Sequence, residues 1–506
     1  MMIEAAITNL LSNIQNDAVE RIVKLPQSGS DRVYFRVYTI EKTFIATYNN
    51  NVQENKTFIG FTHHFKQKNL PVPQVLAVND ELTLYIQEDA GTESLLDKLS
   101  EHGHDDLVYQ LFQQSLQQLA RLQILGDEGL NYNLCLTAKE FGKQAIMSDL
   151  LYFKYYFLDT LKLPYDKQAL YAEFENTSEF LVKDDNIYFM FRDFQSRNII
   201  VNENKLCFID YQGGMRGALQ YDVASLLWQA KAELSNEWKN SLLHYYMDEA
   251  DALLPQKLNR NLFVEQYNGY VLLRLLQVLG AYGFRGLFER KAHFVTSIPL
   301  ALKNLKSLLD VNYSNEATPE FTRILKAIVS DDIISRFENI QANETTPLLI
   351  SINSFSYKKG LPKDTSGHGG GFVFDCRGML NPGRYDQFKC SSGLDKNVQH
   401  FLEENTKMNE YLNNVYNLVD ISVEDYIKRG FNSLSISFGC TGGQHRSVYA
   451  AEQTTRHLKN KYKVKVEAHH LNQNNWVKEV EETMKVQQRN SSTRQHHTTR
   501  IPTLES

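Results

Sequence analysis

The fold is decided by ten consecutive residues, Phe191-Arg192-Asp193-Phe194-Gln195-Ser196-Arg197-Asn198-Ile199-Ile200, and by Phe208-Ile209-Asp210 shortly after them. They place a carboxylate, an amide five residues later and a second carboxylate twelve residues beyond the amide. Apolar runs at 199–201 and 206–209 predict short strands beside the last two groups. Phosphoryl transfer uses one carboxylate to accept the proton of an attacking hydroxyl, and an amide and a carboxylate to hold Mg²⁺ against nucleotide phosphates. The pattern therefore predicts a phosphoryl-transfer site.

A downstream stretch, Tyr221-Asp222-Val223-Ala224-Ser225-Leu226-Leu227, extends this pattern. Together these residues resemble the catalytic loop of the aminoglycoside phosphotransferase and choline kinase family, whose fold is related to that of protein kinases, over roughly residues 20 to 310. The Arg-Asp-Phe order is most similar to the bacterial kinases for the anomeric hydroxyl of N-acetylmuramate and N-acetylglucosamine. The resemblance implies ATP and Mg²⁺ as cofactors, with Asp193 as catalytic base and Asn198 and Asp210 as magnesium ligands.

Residues around the catalytic loop add further candidates. The family has His two residues before the catalytic Asp, whereas this chain has Phe191, so packing must brace the loop instead. Arg192 and Arg197 would either neutralise phosphate charge or hold the loop in place. By the same resemblance, Arg216 and Asp222 would face the acceptor. The candidate substrate-binding residues are thus Arg197, Arg216 and Asp222.

The nucleotide-binding end is predicted within the first strands and the turn before them. The segment Pro26–Arg32 contains small residues whose backbone N–H groups can approach phosphates, although an ordinary loop explains it equally well. The strand at 43–48 lacks the Lys that pairs with phosphates in kinases, so Arg36 or Lys42 would substitute. Glu54 would pair with that cation or be a surface charge. The candidate nucleotide-binding residues are Ser28, Gly29, Ser30, Arg36 and Glu54.

The pattern of elements predicts a bilobal α+β protein-kinase-like domain over 1–310, with a small lobe over 1–92 and a large lobe over 93–310. Predicted strands lie at 32–40, 43–48, 74–78 and 82–87, a helix lies at 54–68, and an apolar core helix lies at 270–284. Asp89 falls at the expected hinge between the lobes, unless it caps the helix that follows.

A smaller α/β domain is predicted over 348–476, after a helical connector at 311–347 and before a polar tail at 477–506 that stays disordered. After an apolar run at 348–352, strands and helices alternate, which is typical of a layered α/β architecture. The predicted strands are 371–375, 434–438 and 464–469, and the predicted helices are 396–414, 423–429 and 447–462.

A glycine-rich loop, Gly439-Cys440-Thr441-Gly442-Gly443-Gln444-His445-Arg446-Ser447, joins a predicted strand to a predicted helix in this domain. Backbone N–H groups and the helix dipole favour an anion there, and Arg446 adds a planar pair of donors suited to phosphate. The spacing C-x-x-G-x-x-R-S also matches cysteine phosphatases. Cys440 would then be a nucleophile with Asp375 or Asp364 as general acid, whereas an inert buried thiol is the other interpretation.

The second domain closely resembles the RapZ C-terminal domain of bacterial RNase adapter proteins, over about residues 350 to 471. The matching stretches are 354–362, 374–377, 381–382, 392–396 and 439–447. The resemblance implies binding of glucosamine 6-phosphate and RNA. The residues it would bring to the sugar-phosphate site are Asp375, Arg377, Cys440, Thr441, Gly442, Gly443, His445 and Arg446. The chain departs from the family where Gly383-Arg384 replaces a ligand His after Asn-Pro, and no P-loop sequence G-x-x-x-x-G-K-[ST] precedes the domain.

Charge, cysteine content and apolar runs indicate which cell compartment and which classes of partner to expect. The 54 basic and 60 acidic side chains give a formal charge of −6, which argues against a dedicated nucleic-acid binder. A local basic run at Arg456–Lys465 is either a solvated face or an RNA surface. The five Cys form no CxxC pair, so neither a zinc site nor a disulfide framework is indicated. A basic leader and an 18-residue apolar run are both lacking, which predicts a cytoplasmic protein without a membrane partner.

Together the two domains favour a bifunctional protein of amino-sugar and cell-wall metabolism. The first would phosphorylate a small hydroxylated acceptor such as N-acetylmuramate or N-acetylglucosamine, and the second would bind an amino-sugar phosphate. The alternative is a sensor or RNA-binding adaptor with a degenerate kinase domain. The missing Lys and Phe191 favour the alternative, whereas the intact Asp193, Asn198 and Asp210 oppose it. A homo-oligomer is compatible with both hypotheses.

Overall fold

The computed structural model describes residues 2–14, 17–25, 32–183, 187–203, 205–289, 292–312, 317–338, 342–343, 345–363 and 371–476. They form two compact units, one within Met1–Glu289 and His293–Phe337 and the other within Arg290–Ala292 and Glu338–Ser506. Some predicted features lie outside the described residues, namely the phosphate turn at Ser28, Gly29 and Ser30, the acid Asp364 and the tail at 477–506.

Five antiparallel strands build the small lobe: β1 (Val19–Lys24), β2 (Val33–Thr39), β3 (Thr43–Tyr48), β4 (Val75–Val78) and β5 (Leu84–Glu88). Their order in the sheet is β1-β2-β3-β5-β4. Because side chains alternate along a strand, Phe35 and Val37 of β2 pack in a cluster with helix α1 (Met2–Ser12). Tyr34 and Arg36 instead line a cleft on the opposite face. The sequence pattern predicts neither α1 nor β1.

Helix α2 (Val52–Gln67) connects this sheet to the large lobe. Asn51 caps its N-terminus, since the Asn51 side chain accepts the N–H of Glu54. Farther along the helix, the ring of Phe65 contacts Phe189 of the large lobe at a centroid distance of 4.9 Å. The helix is therefore anchored at both ends, which fixes the position of Glu54.

The large lobe is mainly helical and contains two short antiparallel strand pairs. Its helices are α3 (Leu95–His102), α4 (Asp106–Asp127), α5 (Lys143–Tyr156), α6 (Lys167–Leu181), α7 (Leu219–Leu227), α8 (Asn236–Leu253), α9 (Arg260–Tyr282), α10 (Ala292–Val295) and α11 (Ile298–Asn312). Strand β6 (Ile187–Met190) pairs with β9 (Met215–Ala218), and β7 (Ile199–Asn202) pairs with β8 (Lys205–Phe208). The second pair is the predicted one, whereas the first is not predicted by the sequence.

Helix α9 runs through the core of the large lobe, as predicted for 270–284. It packs closely on α5, because a Cβ atom at Gly283 would lie 2.1 Å from the carbonyl oxygen of Tyr156. Among the described residues, one helical stretch, Arg260–Phe288, is long and apolar enough to cross a membrane. Within its most apolar window 56% is buried inside the protein.

Two further helices, α12 (Pro319–Ile328) and α13 (Asp331–Phe337), fall in the stretch predicted as a connector. They pack into the core of the first unit instead, with the ring of Phe321 lying 5.1 Å from that of Phe174. The carboxylate of Glu173 also accepts the N–H of Phe321 at 2.6 Å. The predicted connector at 311–347 is therefore corrected: the amphipathic pattern of α12 buries it against the large lobe.

The second unit contains a parallel sheet in which strands alternate with helices. Its strands are β10 (Leu349–Ser356), β11 (Phe372–Asp375), β12 (Ser433–Cys440) and β13 (Lys465–His470), in the order β11-β12-β10-β13. Its helices are α14 (Lys396–Asn405), α15 (Met408–Arg429) and α16 (Arg446–Tyr462). The helix predicted at 396–414 ends early, because Thr406 is extended and its Oγ1 accepts the N–H of Met408 at 3.0 Å.

The observed architecture confirms the predicted fold class. A bilobal α+β unit comes first, and a smaller α/β unit follows it in the chain. In the second unit, the parallel strands β10 and β12 end side by side, with Ser356 opposite Cys440. Ligands of open parallel sheets bind beyond the carboxyl ends of the strands, so this edge is where the predicted phosphate loop needs to lie.

Candidate active site and phosphate loop

The predicted catalytic loop, between β6 and β7, is braced by aromatic packing and by one buried carboxylate. The ring of Phe191, which replaces the His of the related kinases, is fully buried. Its edge contacts with Phe194 and Tyr211 have centroid distances of 5.3 and 6.1 Å. This matches the expectation that packing takes over from the missing His.

Asp222, on α7, supplies the carboxylate. It is fully buried and accepts the backbone N–H groups of Phe191 at 2.7 Å and Arg192 at 2.9 Å, as well as the side-chain N–H of Gln123 at 2.9 Å. Burial raises the pKa of Asp222 to about 7 even though these hydrogen bonds act to lower it. Asp222 was predicted to face the acceptor, and this is corrected: it positions the catalytic loop from inside the core.

Asp193, the predicted base, is held at the loop surface by three donors. Arg274 of α9 donates to its Oδ1 at 3.0 Å, Gln195 donates to the same oxygen at 2.7 Å, and Arg197 donates to Oδ2 at 3.2 Å. The Asp193 side chain is 36% exposed, whereas that of Arg274 is 8% exposed. The structure therefore presents one carboxylate to solvent on a rigid, positively charged support. Sequence reasoning missed Arg274, because only the packing of α9 brings it to the loop.

The two arginines of the loop have local partners. Arg197 pairs with Asp193, and Arg192 extends to Asp149 at 3.4 Å with its guanidinium over the ring of Phe141. Arg216 lies on β9, where its Nε is 3.7 Å from Asp127 and its Nη2 donates to a backbone carbonyl. Its described side-chain partners thus lie at the end of α4 and at the start of β6, and the acceptor contact of Arg216 stays a prediction.

Asn198 and Asp210 lie at the same end of the β7–β8 hairpin, because Asn198 precedes β7, Asp210 follows β8, and the two strands are antiparallel. The Nδ2 of Asn198 donates to the carbonyl of Asp193 at 2.9 Å, which leaves Oδ1 for a metal ion. Burial acts to raise the pKa of Asp210, but the charge of Arg32 and hydrogen bonds from Gln212 and Arg32 outweigh it and lower the pKa. Asp210 is therefore ionised at neutral pH and suited to Mg²⁺.

Arg32, immediately before β2, is the cation that reaches this site. Its Nη2 lies 2.7 Å from Asp210 Oδ1, and its Nε lies 3.4 Å from Glu54 Oε1. Glu54 thus pairs with a cation, but with Arg32 rather than with the predicted Arg36 or Lys42. The sequence signal for Arg32 is its spacing of two residues from Tyr34 of β2, which places both side chains on the cleft face.

Arg36 has a different position from the predicted one. Its Nε lies 2.7 Å from Asp89 Oδ2, and its Nη2 donates to the carbonyl of Gly91 at 2.9 Å. Asp89 does not cap the next helix, since Ser94 and Asp97 form a capping box there. Arg36 and Asp89 therefore clamp the hinge strand, and the role of Arg36 as a nucleotide-binding residue stays a prediction, since its side chain also lines the cleft.

A cleft of about 260 Å³ joins these groups within the first unit. Its lining includes Arg32, Tyr34, Arg36, Asp89, Asn198 and Asp210. Among the described residues, no group of three or more His, Cys, Asp or Glu side chains forms a metal cluster.

In the second unit, the glycine-rich loop follows β12 and leads into α16. Cys440 is buried, its Sγ accepts the N–H of Gly443 at 3.2 Å, and it lies 3.1 Å from the hydroxyl of Ser447. Gly443 has a φ of +68°, which favours glycine, while Thr441 and Gly442 at the loop tip are exposed. The loop therefore presents its tip, not the Cys440 thiol, to solvent.

Two predicted ligands of this loop contact the protein itself. Arg446 donates to the carbonyls of Arg377 at 3.1 Å and Met379 at 2.8 Å, although its buried Nε has no hydrogen-bond partner among the described residues. His445 Nε2 lies 2.8 Å from the carbonyl of Phe388, and burial lowers the pKa of His445, so this ring is neutral and donates. Both side chains are buried and support the loop from the protein interior.

Asp375 and Arg377 form an ion pair of 2.7 Å at the carboxyl end of β11, with the guanidinium 4.0 Å from the centroid of the Tyr357 ring. Both side chains are about half exposed. Since β11 lies next to β12, this pair belongs to the same edge of the sheet as the glycine-rich loop.

The predicted basic run is partly neutralised. Asp420 of α15 accepts from His457 and Lys461 of α16, both at 2.8 Å. The exposed cations of the run are Arg456, Lys459, Lys463 and Lys465. The run is therefore divided between a helix–helix contact and a smaller exposed patch.

Comparison with known families divides the chain in the same way as the structure. Residues 21–255 match the family model described as "Phosphotransferase enzyme family", and residues 348–473 match the RapZ C-terminal domain. Relatives include a nucleotide-binding protein of Thermosipho africanus, 39% identical over 195 residues, or 36% of this chain and 65% of the relative. A nucleotide-binding protein of Shewanella halifaxensis is 35% identical over 130 residues, or 26% of this chain and 44% of the relative. The chain therefore spans less than two thirds of the length of these relatives.

Solved structures similar to the chain include the choline kinase LicA from Streptococcus pneumoniae, at 14% identity and a TM-score of 0.39, covering 61% of this chain and 100% of that one. Another is the aminoglycoside phosphotransferase APH(4)-Ia, at 14% identity and a TM-score of 0.41, covering 62% of this chain and 100% of that one. In sequence, the chain contains a segment that matches the phosphotransferase enzyme family model, residues 21–255, followed by a segment that matches the RapZ C-terminal domain, residues 348–473.

Proposed function

We propose that the first unit is an ATP-dependent phosphotransferase acting on a small hydroxylated acceptor. One observation carries the proposal: Asp193, whose carboxylate is exposed, accepts through its backbone carbonyl a hydrogen bond from Asn198, and Asn198 lines a cleft together with Asp210. This is the set of groups that phosphoryl transfer needs, and it is held together by the fold rather than only by sequence spacing.

Each group has a distinct task in this proposal. Asp193 would accept a hydrogen bond from the acceptor hydroxyl and take its proton, while Arg274 fixes the orientation of that carboxylate. Asn198 Oδ1 and the Asp210 carboxylate would hold Mg²⁺, which when bound neutralises charge on the nucleotide phosphates. Because phosphoryl transfer requires little covalent chemistry from the protein, positioning and charge would supply most of the rate.

An amino sugar, such as N-acetylmuramate or N-acetylglucosamine, is the acceptor we propose. The order Arg192-Asp193-Phe194 resembles the kinases of those sugars, and the second unit carries a domain whose resemblance implies an amino-sugar phosphate. A cytoplasmic location is part of this proposal, since ATP and sugar phosphates are available there.

For the second unit we propose binding of a phosphorylated amino sugar such as glucosamine 6-phosphate at the exposed tip of the glycine-rich loop. Gly442 has open space around its Cα, so a side chain fits there without strain. Gly442→Asp would repel the phosphate and weaken its binding about tenfold or more, whereas Gly442→Asn, of equal size and no charge, would retain most affinity. Equal binding by both variants in calorimetric titration would exclude the loop tip as the phosphate site.

A second candidate function is a sensor or RNA-binding adaptor whose kinase-like unit is inactive. The observation that favours it is the ion pair between Arg32 and Asp210, which occupies one oxygen of the predicted metal ligand. The exposed patch of Arg456, Lys459, Lys463 and Lys465 would be its RNA surface. A homo-oligomer fits either function.

The test is consumption of Mg²⁺-ATP by the purified protein with N-acetylmuramate, N-acetylglucosamine, glucosamine, choline or kanamycin as acceptor. We expect turnover that depends on an amino sugar and that falls about 10³-fold in Asp193→Ala, the loss typical of a general base. Turnover with choline or kanamycin alone would refute the proposed acceptor. No turnover with any acceptor, together with tight binding of glucosamine 6-phosphate or RNA, would support the sensor.

A further inference from the structure

We propose that Arg32 is the cation that pairs with the nucleotide phosphates, and that it leaves Asp210 when Mg²⁺-ATP binds. This inference rests on the proposed phosphotransferase function. It assigns to the start of β2 a task that a Lys on β3 performs in protein kinases.

Strand β3 offers no cation for this task. Thr47 is its fully buried residue opposite Tyr34, so the two side chains share the cleft face of the sheet. Val33 pairs with Tyr48, which places Arg32 one position beyond the end of β3, toward the start of α2. The positive charge that protein kinases carry on β3 is therefore supplied here by a residue just before β2, and it still lies beside Glu54.

The other cations considered for the role have different partners or lie outside the cleft. Arg36 is committed to Asp89 and to the carbonyl of Gly91 at the hinge. Lys42 is exposed in the turn between β2 and β3. Arg32 is the cation that both lines the cleft and contacts Glu54 and Asp210.

The environment of Arg32 indicates that its guanidinium is divided between two carboxylates and still has N–H donors available. Its side chain is 10% exposed and lies between two carboxylates. Its buried Nε–H has no acceptor in good geometry among the described residues. A guanidinium carries five N–H donors in a planar fork, so Arg32 can keep Glu54 and still offer donors to phosphate oxygens.

Charge balance explains the exchange of partners. Without nucleotide, Arg32 compensates the charge of Asp210, a carboxylate that is 31% exposed and lines the cleft together with Asn198. Mg²⁺ held by Asn198 and Asp210 would supply positive charge to that carboxylate. The Arg32 guanidinium could then turn from Asp210 to the nucleotide phosphates without leaving an unpaired charge in the cleft.

The test compares Arg32→Gln and Arg32→Lys with Lys42→Ala, the matched loss of a cation outside the cleft. We expect kcat/KM for Mg²⁺-ATP to fall about 100-fold in Arg32→Gln and less in Arg32→Lys, because Lys keeps the charge but not the fork. Lys42→Ala keeps wild-type activity. In direct titrations Arg32→Gln loses affinity for ATP but not for AMP, which lacks the outer phosphates, and this readout separates phosphate pairing from a purely structural role.

Three outcomes would overturn the inference. Unchanged ATP affinity and turnover in Arg32→Gln would show that the phosphates have another partner. Equal losses of ATP and AMP affinity, with a lower melting temperature, would show a structural role. A gain in Mg²⁺ affinity or turnover would show that Arg32 only blocks Asp210. If the wild type binds no Mg²⁺-ATP, the proposed function fails with it, whereas the first three results leave that function standing.

Discussion

Asp222→Asn gives a direct test of the idea that a buried carboxylate holds the catalytic loop. The three N–H donors from Phe191, Arg192 and Gln123 converge on two oxygens that only accept. Asparagine keeps one accepting oxygen and turns an NH₂ group toward one of the donors. One buried N–H is then left unsatisfied, which costs about 1–3 kcal/mol of the free energy of unfolding.

The same variant has a defined pH dependence. The pKa of Asp222 is about 7 in the folded protein because of burial, against an ordinary value of 3.8. Between these values the unfolded chain releases the proton while the folded chain keeps it, so this group makes wild-type stability fall as the pH rises from about 4 to about 7. Asparagine does not titrate. The stability advantage of the wild type over Asp222→Asn therefore shrinks across that window and is constant above it.

Urea denaturation at pH 4, 5.5 and 7.5 measures this difference. Trp228 and Trp238 report on the first unit, and Trp476→Phe, placed in both proteins, silences the second. An advantage that grows with pH would refute the reasoning, since it would mean that the N–H donors depress the Asp222 pKa more than burial raises it. A loss of turnover about 100-fold is expected in parallel, because the loop that carries Asp193 is no longer fixed.

Three further outcomes are expected. Gly283→Ala should lower the free energy of unfolding by about 3 kcal/mol, because the new Cβ would lie 2.1 Å from the Tyr156 carbonyl oxygen. The control Gly213→Ala, at a position with open space around it, should change the free energy of unfolding by under about 0.5 kcal/mol. Similar values for the two variants in urea titrations would contradict the close packing. Asp420→Asn should cost the second unit about 2 kcal/mol at pH 7. Burial acts to raise the pKa of Asp420, but His457 and Lys461 lower it below the ordinary value of 3.8. The stability cost of Asp420→Asn is therefore present above about pH 4 and disappears as the pH falls further. A cost that persisted at about pH 2.5 would argue against the ion pairs. Because the Cys440 thiol is buried, Cys440→Ser should leave the affinity for glucosamine 6-phosphate within about threefold of the wild-type value. For the same reason the wild type should not hydrolyse p-nitrophenyl phosphate. Hydrolysis by the wild type that is lost in Cys440→Ser would instead establish a cysteine phosphatase.

Much of the fold follows from local pattern. The strands of the small lobe, α2, the β7–β8 hairpin and the strand–loop–helix of the second unit have alternation or helical periodicity that sequence alone displays. Helix α1 and β1 lack such a signal: α1 is short, and its apolar face has meaning only against the sheet that it covers. The helices at 319–337 are predictable as helices, but which core they join depends on tertiary contacts such as Phe174 with Phe321.

The residues of the candidate site also divide into those that local sequence predicts and those that depend on tertiary contacts. Asp193, Asn198 and Asp210 are predicted from spacing because one hairpin brings them together. Arg32, Arg274 and Asp222 could not be assigned this way. Each acts across a long separation in sequence, as in the contact of Arg32 with Asp210, and charged side chains carry no local mark of the partner they meet. Side-chain parity along β2 identifies the face of Arg32 and not its partner.

The central claim is that this chain transfers a phosphoryl group to a sugar hydroxyl. Mass spectrometry of the acceptor after incubation with γ-¹⁸O-labelled ATP and Mg²⁺ tests it most directly. We expect a labelled phosphate ester on an amino sugar with the wild type and none with Asp193→Ala. Label that appears only in inorganic phosphate, or equally with both proteins, would contradict it.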